Sequence, residues 1–423
     1  MFSLWLLIAG LLFSFQDGKC EKFGKISEAD NLAIMDKCES LYKYSNHTVK
    51  FEENKGQFKL LGGKTVSSAD YGYMVQIIHI RGITDGKQDI NVCSGVIITF
   101  RHIITAASCL DFNENGLKNT PISEFKIYGG STCLYIDKMN ENYDNVLRFT
   151  CPVEKENTRK VALIKPIALL VPMSSVINNV ASILGVPFYE AFSDIAIFEV
   201  EPIDKLAQTL NEKNKDLIEA QVNFDVACIS EPKIRNEGDG YIIASYGRRK
   251  NLLNEHGSNP INVKLNLILE NNVYIDECPA SIPIQACTRI MIIEGEQTVT
   301  EGDGGAAILK EMNDLSVLMG ILSYRPNIGR AYTKFMFATD ISKFHDFFCY
   351  YIGICIYQEF ITKNYSKYPE EVIILTNGTF DDTIGDVNIA NIELFKNRFD
   401  AHVTDNFAVR KFRQIHVSMP FSF

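Results

Sequence analysis

Three polar positions in the chain have the residue types that catalysis would use. Ser108 ends one apolar run, Asp194 opens another, and Asp303 stands in a glycine-rich segment. A serine hydroxyl becomes a nucleophile only beside a general base, most often histidine. The nearest histidine in sequence, His102, lies six positions upstream of Ser108. Ser108 with His102 as its base is one interpretation, and the sequence favours the other, in which His102 is structural and Ser108 fills space.

Metal and redox chemistry have no signature in this sequence. The eleven cysteines include no Cys-x-x-Cys pair, and the seven histidines are scattered. We therefore predict neither a metal site nor a cofactor. Cysteines in this number are typical of disulfides in a protein that leaves the cytosol.

Charge and the amino-terminal segment indicate a compartment. The chain has 423 residues, is 46% hydrophobic and has a net charge of -10, which argues against nucleic acid or an anionic membrane as partner. The apolar start, MFSLWLLIAGLLFSF, predicts a signal peptide over residues 1–18 and an extracellular protein, with a retained anchor as the alternative. Sequons at Asn46, Asn364 and Asn377 predict glycosylation.

The elements that must position these residues are mostly strands. The stretch KISEADNLAIMDKCESL predicts one short amino-terminal helix with a capping box. Short apolar runs with β-branched residues follow: YMVQIIHI, VCSGVIITF, DIAIFEVE, YIIASYG, VKLNLILE, AAILK and VLMGILSYR. Many short strands separated by polar turns predict an all-β sandwich or barrel.

Two regions depart from this pattern. Residues 111–190 are predicted to form an enlarged loop, and its apolar segment is interrupted by prolines and by Asn178 and Asn179, which argues against a membrane span. Residues 349–423 contain no motif and are left as a carboxy-terminal extension of unassigned structure.

Four stretches, in this order, resemble landmark motifs of the trypsin and chymotrypsin-type serine proteases: CSGVIITFRHIITAASC, SDIAIFEV, EGDGGAAIL and GILSYRPNIGRAYTKF. The resemblance implies a chymotrypsin-like double six-stranded β-barrel over residues 60–348, followed by a carboxy-terminal helix. It leaves residues 19–59 as a leader, which resembles that of a group of secreted trypsin-like proteins of nematodes.

The same resemblance implies that the catalytic triad is degenerate. Ser108 stands at the position of the general base and Gly304 at that of the nucleophile, and only Asp194 keeps its residue. Glycine cannot form an acyl-enzyme, and serine has no group that titrates near neutral pH. We therefore expect a secreted, non-catalytic homologue that binds proteins or peptides, such as proteases or their inhibitors. The alternatives are an unconventional serine-type endopeptidase and a structural extracellular component.

Further family positions are carried over in the same way. Gly302 and Gly304 correspond to a remnant of the oxyanion hole, with a tight glycine-rich turn as the alternative. The pocket positions fall on Thr298, Ser323 and Tyr324. Because the base of the pocket is Thr298 and not an acid, we expect no selection of basic side chains there by charge.

The resemblance also implies an activation-like cleavage after Lys59, which would free Leu60 to pair with Asp303. It implies the disulfides Cys93–Cys109 and Cys38–Cys228, the second of which would tie the leader to the barrel. Proximity in sequence suggests three more pairs, Cys133–Cys151, Cys278–Cys287 and Cys349–Cys355, and leaves Cys20 unpaired.

Overall fold

The structure is a computed structural model, and it describes residues 23–43, 64–65, 71–84, 87–113, 116–117, 120–130, 133–136, 162–183, 193–213, 222–230, 240–246, 261–264, 266–275, 290–294, 303–312, 315–324, 335–355 and 372–376. The predicted signal peptide, cleavage site and glycosylation sites lie outside these residues.

Strands predominate in the described residues. The strands are β1 (Lys64–Thr65), β2 (Met74–Thr84), β3 (Lys87–Thr99), β4 (His102–Thr105), β5 (Phe112–Asn113), β6 (Gly116–Leu117), β7 (Phe125–Gly129), β8 (Cys133–Ile136), β9 (Ala162–Ile164), β10 (Pro166–Pro172), β11 (Ala196–Val200), β12 (Cys228–Ile229), β13 (Gly240–Ser245), β14 (Ile261–Lys264), β15 (Asn266–Ile275), β16 (Ile290–Glu294), β17 (Ala307–Met312), β18 (Leu315–Tyr324), β19 (Phe335–Asp340) and β20 (Val372–Thr376). The α-helices are α1 (Glu28–Lys43), α2 (Met173–Ile183), α3 (Ile203–Lys213) and α4 (His345–Tyr351), and 3₁₀ turns cover Ala107–Cys109, Ile122–Glu124 and Ile341–Lys343. The described chain is thus mostly β, as the sequence predicts.

The first sheet has the strand order β20-β10-β11-β4-β3-β2-β7-β9. Only Lys165 separates β9 from β10. Strand β9 pairs with β7 and strand β10 pairs with β11, all antiparallel. The series of strand pairs therefore closes into a ring. This first ring contains six strands when β9 and β10 are counted as one interrupted strand, and β20 pairs with β10 in addition.

The second sheet closes in the same way. Its path runs β1-β15-β13-β17-β18-β19-β16, and a further pairing of β15 with β16 joins the path into a second ring of six strands. If the six strands of each ring are numbered along the chain, both rings have the cyclic order 1-2-3-6-5-4. The two halves of the described chain therefore share one topology.

Alternating side chains build the core between the rings. Along β13, Ile242 and Ala244 belong to the larger buried cluster, whereas Tyr241 and Ile243 belong to a second cluster. This period of two is that of a β-strand whose two faces are both covered. Such strands appear in sequence as short, almost uninterrupted apolar runs, which is why YIIASYG could be assigned from its letters.

The prediction that residues 111–190 form an enlarged loop is wrong for part of that region. Strands β7, β9 and β10 lie within it and belong to the first ring. Strand β10 is hard to recognise in the sequence because Pro166 and Pro172 bound it, and proline is uncommon in a strand that is buried along most of its length. The carboxy-terminal extension likewise contributes β20.

Helix α1 is bonded to two separate parts of the described chain. A disulfide joins Cys38 to Cys228 beside β18, and the Lys37 ammonium donates to the carbonyl of Val226 at 2.8 Å. The side chain of Asn31 bonds both the carbonyl and the amide of Cys355, at 3.3 and 3.1 Å. Residues 23–43 of the leader therefore pack as part of the folded body.

We expect the Cys38–Cys228 disulfide to contribute more stability than Cys349–Cys355, because the two close segments with sequence separations of 190 and 6 residues. In the chain-entropy model, replacing both members by serine should cost up to about 5 kcal/mol for the first pair and about 2 kcal/mol for the second. Urea unfolding of the two double variants measures this difference. An equal loss in both would contradict the expectation.

Candidate functional site

The Asp194 carboxylate is the centre of a hydrogen-bonded cluster between the two rings. It is 1% exposed and accepts from the Ser108 amide at 2.7 Å, the Ser108 hydroxyl at 2.8 Å and the Asn179 side-chain amide at 3.1 Å. The Ser323 hydroxyl donates to the same carboxylate. The amide of Asp194 in turn donates to Thr339 Oγ1 at 2.9 Å. Strands of both rings therefore meet at this one residue.

The first ring positions Ser108 and Asp194 through adjacent strands. Thr105 at the end of β4 is paired with Ala196 at the start of β11, so the residues just beyond these strand ends lie together. After β4 the chain makes a 3₁₀ turn, in which the Cys109 amide donates to the carbonyl of Ala106 at 3.1 Å. This turn directs both the amide and the hydroxyl of Ser108 at the carboxylate.

Helix α2 contributes Asn179 through a second small polar cluster. The Ser175 and Ser193 hydroxyls are 2.6 Å apart, and the Ser175 hydroxyl accepts from the Ile195 amide at 3.1 Å. Asn179 also donates to the Ser175 carbonyl, one helical turn earlier, at 2.9 Å. These bonds fix α2 to the segment that leads into β11 and place the side-chain amide of Asn179 at Asp194.

The glycine-rich segment forms a tight turn against the first ring. The Ala306 amide donates to the Asp303 carbonyl at 3.0 Å, and Gly305 has φ of 78°. A positive φ at the third residue is the requirement of a type II turn. A Cβ at Gly305 would come within 2.1 Å of the Ser94 carbonyl oxygen, so a side chain is excluded there. A tight glycine-rich turn, which the sequence offered as the alternative to an oxyanion hole, is therefore present in this segment.

Gly304 lies beside the disulfide that holds the Ser108 turn. Cys93 and Cys109 are bonded, and a Cβ at Gly304 would stand 3.3 Å from Cys109 Sγ and 3.4 Å from Cys93 Sγ. The Gly304 carbonyl accepts from the Ser94 amide at 2.8 Å. Positions 108, 194 and 304 thus come together, although they are far apart in sequence.

The Asp303 carboxylate faces the second ring. It is 5% exposed and accepts from the hydroxyl of Ser245 at the end of β13. The Ser94 hydroxyl of β3 accepts from the Tyr246 amide at 2.9 Å. The turn and its neighbours therefore tie the two rings together a second time.

His102 is located away from this cluster, at the other end of β4. It is fully buried, its Nδ1 lies 2.9 Å from Thr99 Oγ1, and its ring contacts that of Phe23 with centroids 5.3 Å apart. Burial lowers the pKa of His102 from 6.5 to about 3. A histidine in this place has the features of a structural residue.

The structure describes some of the other predicted site residues, and the rest lie outside the described part of the chain. Disulfides join three of the expected pairs: Cys93–Cys109, Cys38–Cys228 and Cys349–Cys355. Ser323 is buried and contacts Asp194. The remaining predictions concern residues, or side chains, outside the described part of the chain: Lys59, Leu60, Thr298, Gly302, Tyr324, Cys20, Cys133, Cys151, Cys278, Cys287, Asn46, Asn364 and Asn377.

Sequence reasoning missed two members of the cluster, Asn179 and Thr339. Asn179 is one of two adjacent asparagines in an otherwise apolar segment, and it was interpreted only as an interruption. A polar side chain in a helix that packs on the core usually finds a hydrogen-bond partner, and that signal was available. Thr339 gave no signal, because its contact with Asp194 spans 145 residues.

The cluster has limited capacity for chemistry. Ser108 is an exposed residue, but its hydroxyl proton points at a carboxylate, which is a weaker base than imidazole. Gly304 offers no side chain. The arrangement is suited to holding the two rings in register and to presenting a polar surface at Ser108.

Comparisons with known proteins identify no relatives: the chain matches no protein-family model, and no curated protein is significantly similar to it. None of the helices in the described ranges is both long and apolar enough to cross a bilayer. Across the same ranges, no three His, Cys, Asp or Glu side chains group as metal ligands.

We expect His102 to make the fold acid-sensitive. The unfolded chain protonates this histidine near pH 6.5, but the folded chain resists until about pH 3, so stability falls as the pH is lowered between these values. Replacing His102 by Asn should reduce the slope of unfolding free energy against pH by up to about 1.4 kcal/mol per pH unit. Urea unfolding at several pH values measures the slope, and unchanged slopes would contradict the assignment.

Proposed function

We propose that the chain is a secreted homologue of the trypsin and chymotrypsin-type serine proteases that lacks catalysis and acts by binding proteins or peptides. The main support for this proposal is that three positions lie close together in the folded chain. The motif resemblance assigns the triad to positions 108, 194 and 304, and the folded chain brings those positions together at the junction of two strand rings. An accidental set of motif matches would have no reason to converge in space.

The strand order supports the chymotrypsin-like double barrel that the resemblance implies. Both rings contain six antiparallel strands in one cyclic order. Asp194 and the turn at Gly304 lie between the rings, and ligand sites of two-unit folds are commonly located at such junctions. We infer that the cleft of the barrel pair runs past Ser108.

The side chains at the three positions support the loss of turnover. A conventional triad needs a hydroxyl or thiol at the nucleophile position and an imidazole next to it. Here Gly304 supplies no nucleophile, and the Ser108 hydroxyl donates to Asp194, where an imidazole N–H would donate. The hydrogen bond to the aspartate is retained while the proton-transfer function is absent.

Three disulfides support an oxidising compartment. A protease-like surface without turnover can bind a protease inhibitor and spare an active enzyme from it, or bind an active protease and modulate it. In either role the partner is a protein or peptide, recognised through the cleft or by strand addition.

Restoring the missing side chains tests the proposal. We expect the double variant Ser108→His with Gly304→Ser to cleave peptides, because Asp194 is already placed to orient an imidazole at position 108. Gly304 has no positive φ, and its new Cβ needs only a small shift against the Cys93 and Cys109 sulfurs. Cleavage of a proteome-derived peptide library, read by mass spectrometry before and after trypsin treatment, measures the activity.

The single variants Ser108→His and Gly304→Ser are the matched controls and should be silent. Adding Asp194→Asn to the double variant should reduce activity by several orders of magnitude. A double variant that folds but cleaves nothing would contradict the proposed cleft. Cleavage by the unmodified protein would contradict the loss of catalysis.

A further inference from the structure

Within the described residues, no cation balances the charge of Asp194. Its hydrogen-bond donors are one backbone amide, two hydroxyls and one side-chain amide, all neutral. No lysine, arginine or histidine of the described residues forms an ion pair with it. By contrast Glu199, which is also buried and lies five residues further on, pairs with Arg101 at 2.7 Å. A buried carboxylate with neutral donors alone retains its negative potential.

Ser108 exposes that potential to solvent. Its side chain is exposed, whereas Asp194 is buried behind it. A serine hydroxyl has one proton and two acceptor lone pairs. Because the proton is donated to Asp194 Oδ2 at 2.8 Å, the oxygen offers only lone pairs to an incoming group. The outer surface of the site therefore accepts hydrogen bonds and donates none through this side chain.

Gly304 adds no side chain to the surface beside the Ser108 turn. It is partly exposed and lies against the Cys93–Cys109 disulfide. An acceptor surface of this kind, with a negative charge behind it, selects a group that is both cationic and a hydrogen-bond donor.

We propose that the Ser108–Asp194 site binds the basic side chain of a protein or peptide partner, with arginine preferred. The guanidinium group carries several N–H donors and is more weakly hydrated than an ammonium group, so it loses less on leaving water. The net charge of -10 favours encounter with a basic partner. The inference rests on the proposed binding function only for the kind of partner.

A pair of isosteric probes tests this assignment on the unmodified, disulfide-bonded protein. N-acetyl-arginine amide carries the guanidinium, and N-acetyl-citrulline amide has nearly the same shape without the charge. Titration with each is followed through the backbone amide NMR signals of Ser108 and Gly304. We expect the arginine probe to bind at least about tenfold more tightly at low salt, and the difference to shrink in 1 M NaCl.

Three variants test whether the preference for the arginine probe arises at Ser108 and Asp194. Asp194→Asn removes the charge and should abolish the preference for arginine. Ser108→Leu, at an exposed position, should cover the carboxylate and give the same loss if the first variant does not fold. Glu212→Gln changes the net charge equally at an exposed position of α3, and should leave the preference intact.

Equal binding of the two probes would overturn the inference, as would shifts that do not include Ser108 or an equal loss in Glu212→Gln. The outcome is separable from the proposed function. A restored double variant that cleaves peptides, together with equal binding of both probes, would overturn only the cation site. Tighter binding of the arginine probe, together with a double variant that folds but cleaves nothing, would overturn only the protease-like cleft.

Discussion

The structure depends on one buried carboxylate. Asp194 is held by Ser108 and Asn179 from the first ring and its helix, and by Ser323 and Thr339 from the second. Removing the carboxylate would leave the buried Ser323 hydroxyl without this acceptor, and an unsatisfied buried polar group costs about 1–3 kcal/mol. The two rings meet where this network is complete, so their relative placement is fixed by chemistry as well as by packing.

Under the proposed function, this constraint explains how catalysis can be lost while the frame persists. The aspartate of a triad has two duties, to orient the base and to hydrogen bond within its surroundings, and only the first requires an imidazole. Ser108 fulfils the second with both its amide and its hydroxyl. Gly305 and Ser94 remain in tight contact, so the turn beside the site keeps its shape without a nucleophile. Selection on binding would preserve this frame.

Much of the frame could be predicted because its signals are local. The apolar runs at YMVQIIHI, VCSGVIITF and DIAIFEVE gave strands β2, β3 and β11, since a strand that is buried on both faces has few polar letters. The Cys93–Cys109 disulfide and the assignment of Asp194 as a site position both come from the resemblance to the serine-protease motifs, and the disulfide is present.

The remainder depends on contacts between distant residues. Asn179 and Thr339 contact Asp194 through the fold, and their sequence neighbourhoods do not specify it. Strand β20 pairs with β10 across about 200 residues, and a five-residue apolar run carries no information about its partner. Strand β7 lies in a polar region whose turn residues dominate the pattern. Local propensity is overridden here by tertiary pairing.

Under the proposed function, Ser108 is a hydrogen-bonding residue and not a nucleophile. Reaction of the native protein with a fluorophosphonate probe, followed by intact mass and peptide mapping, tests it most directly. An active trypsin-like protease treated in parallel provides the positive control. We predict no adduct on Ser108 under conditions that label the control completely. A stoichiometric adduct on Ser108 would contradict the claim and show that Asp194 activates the hydroxyl.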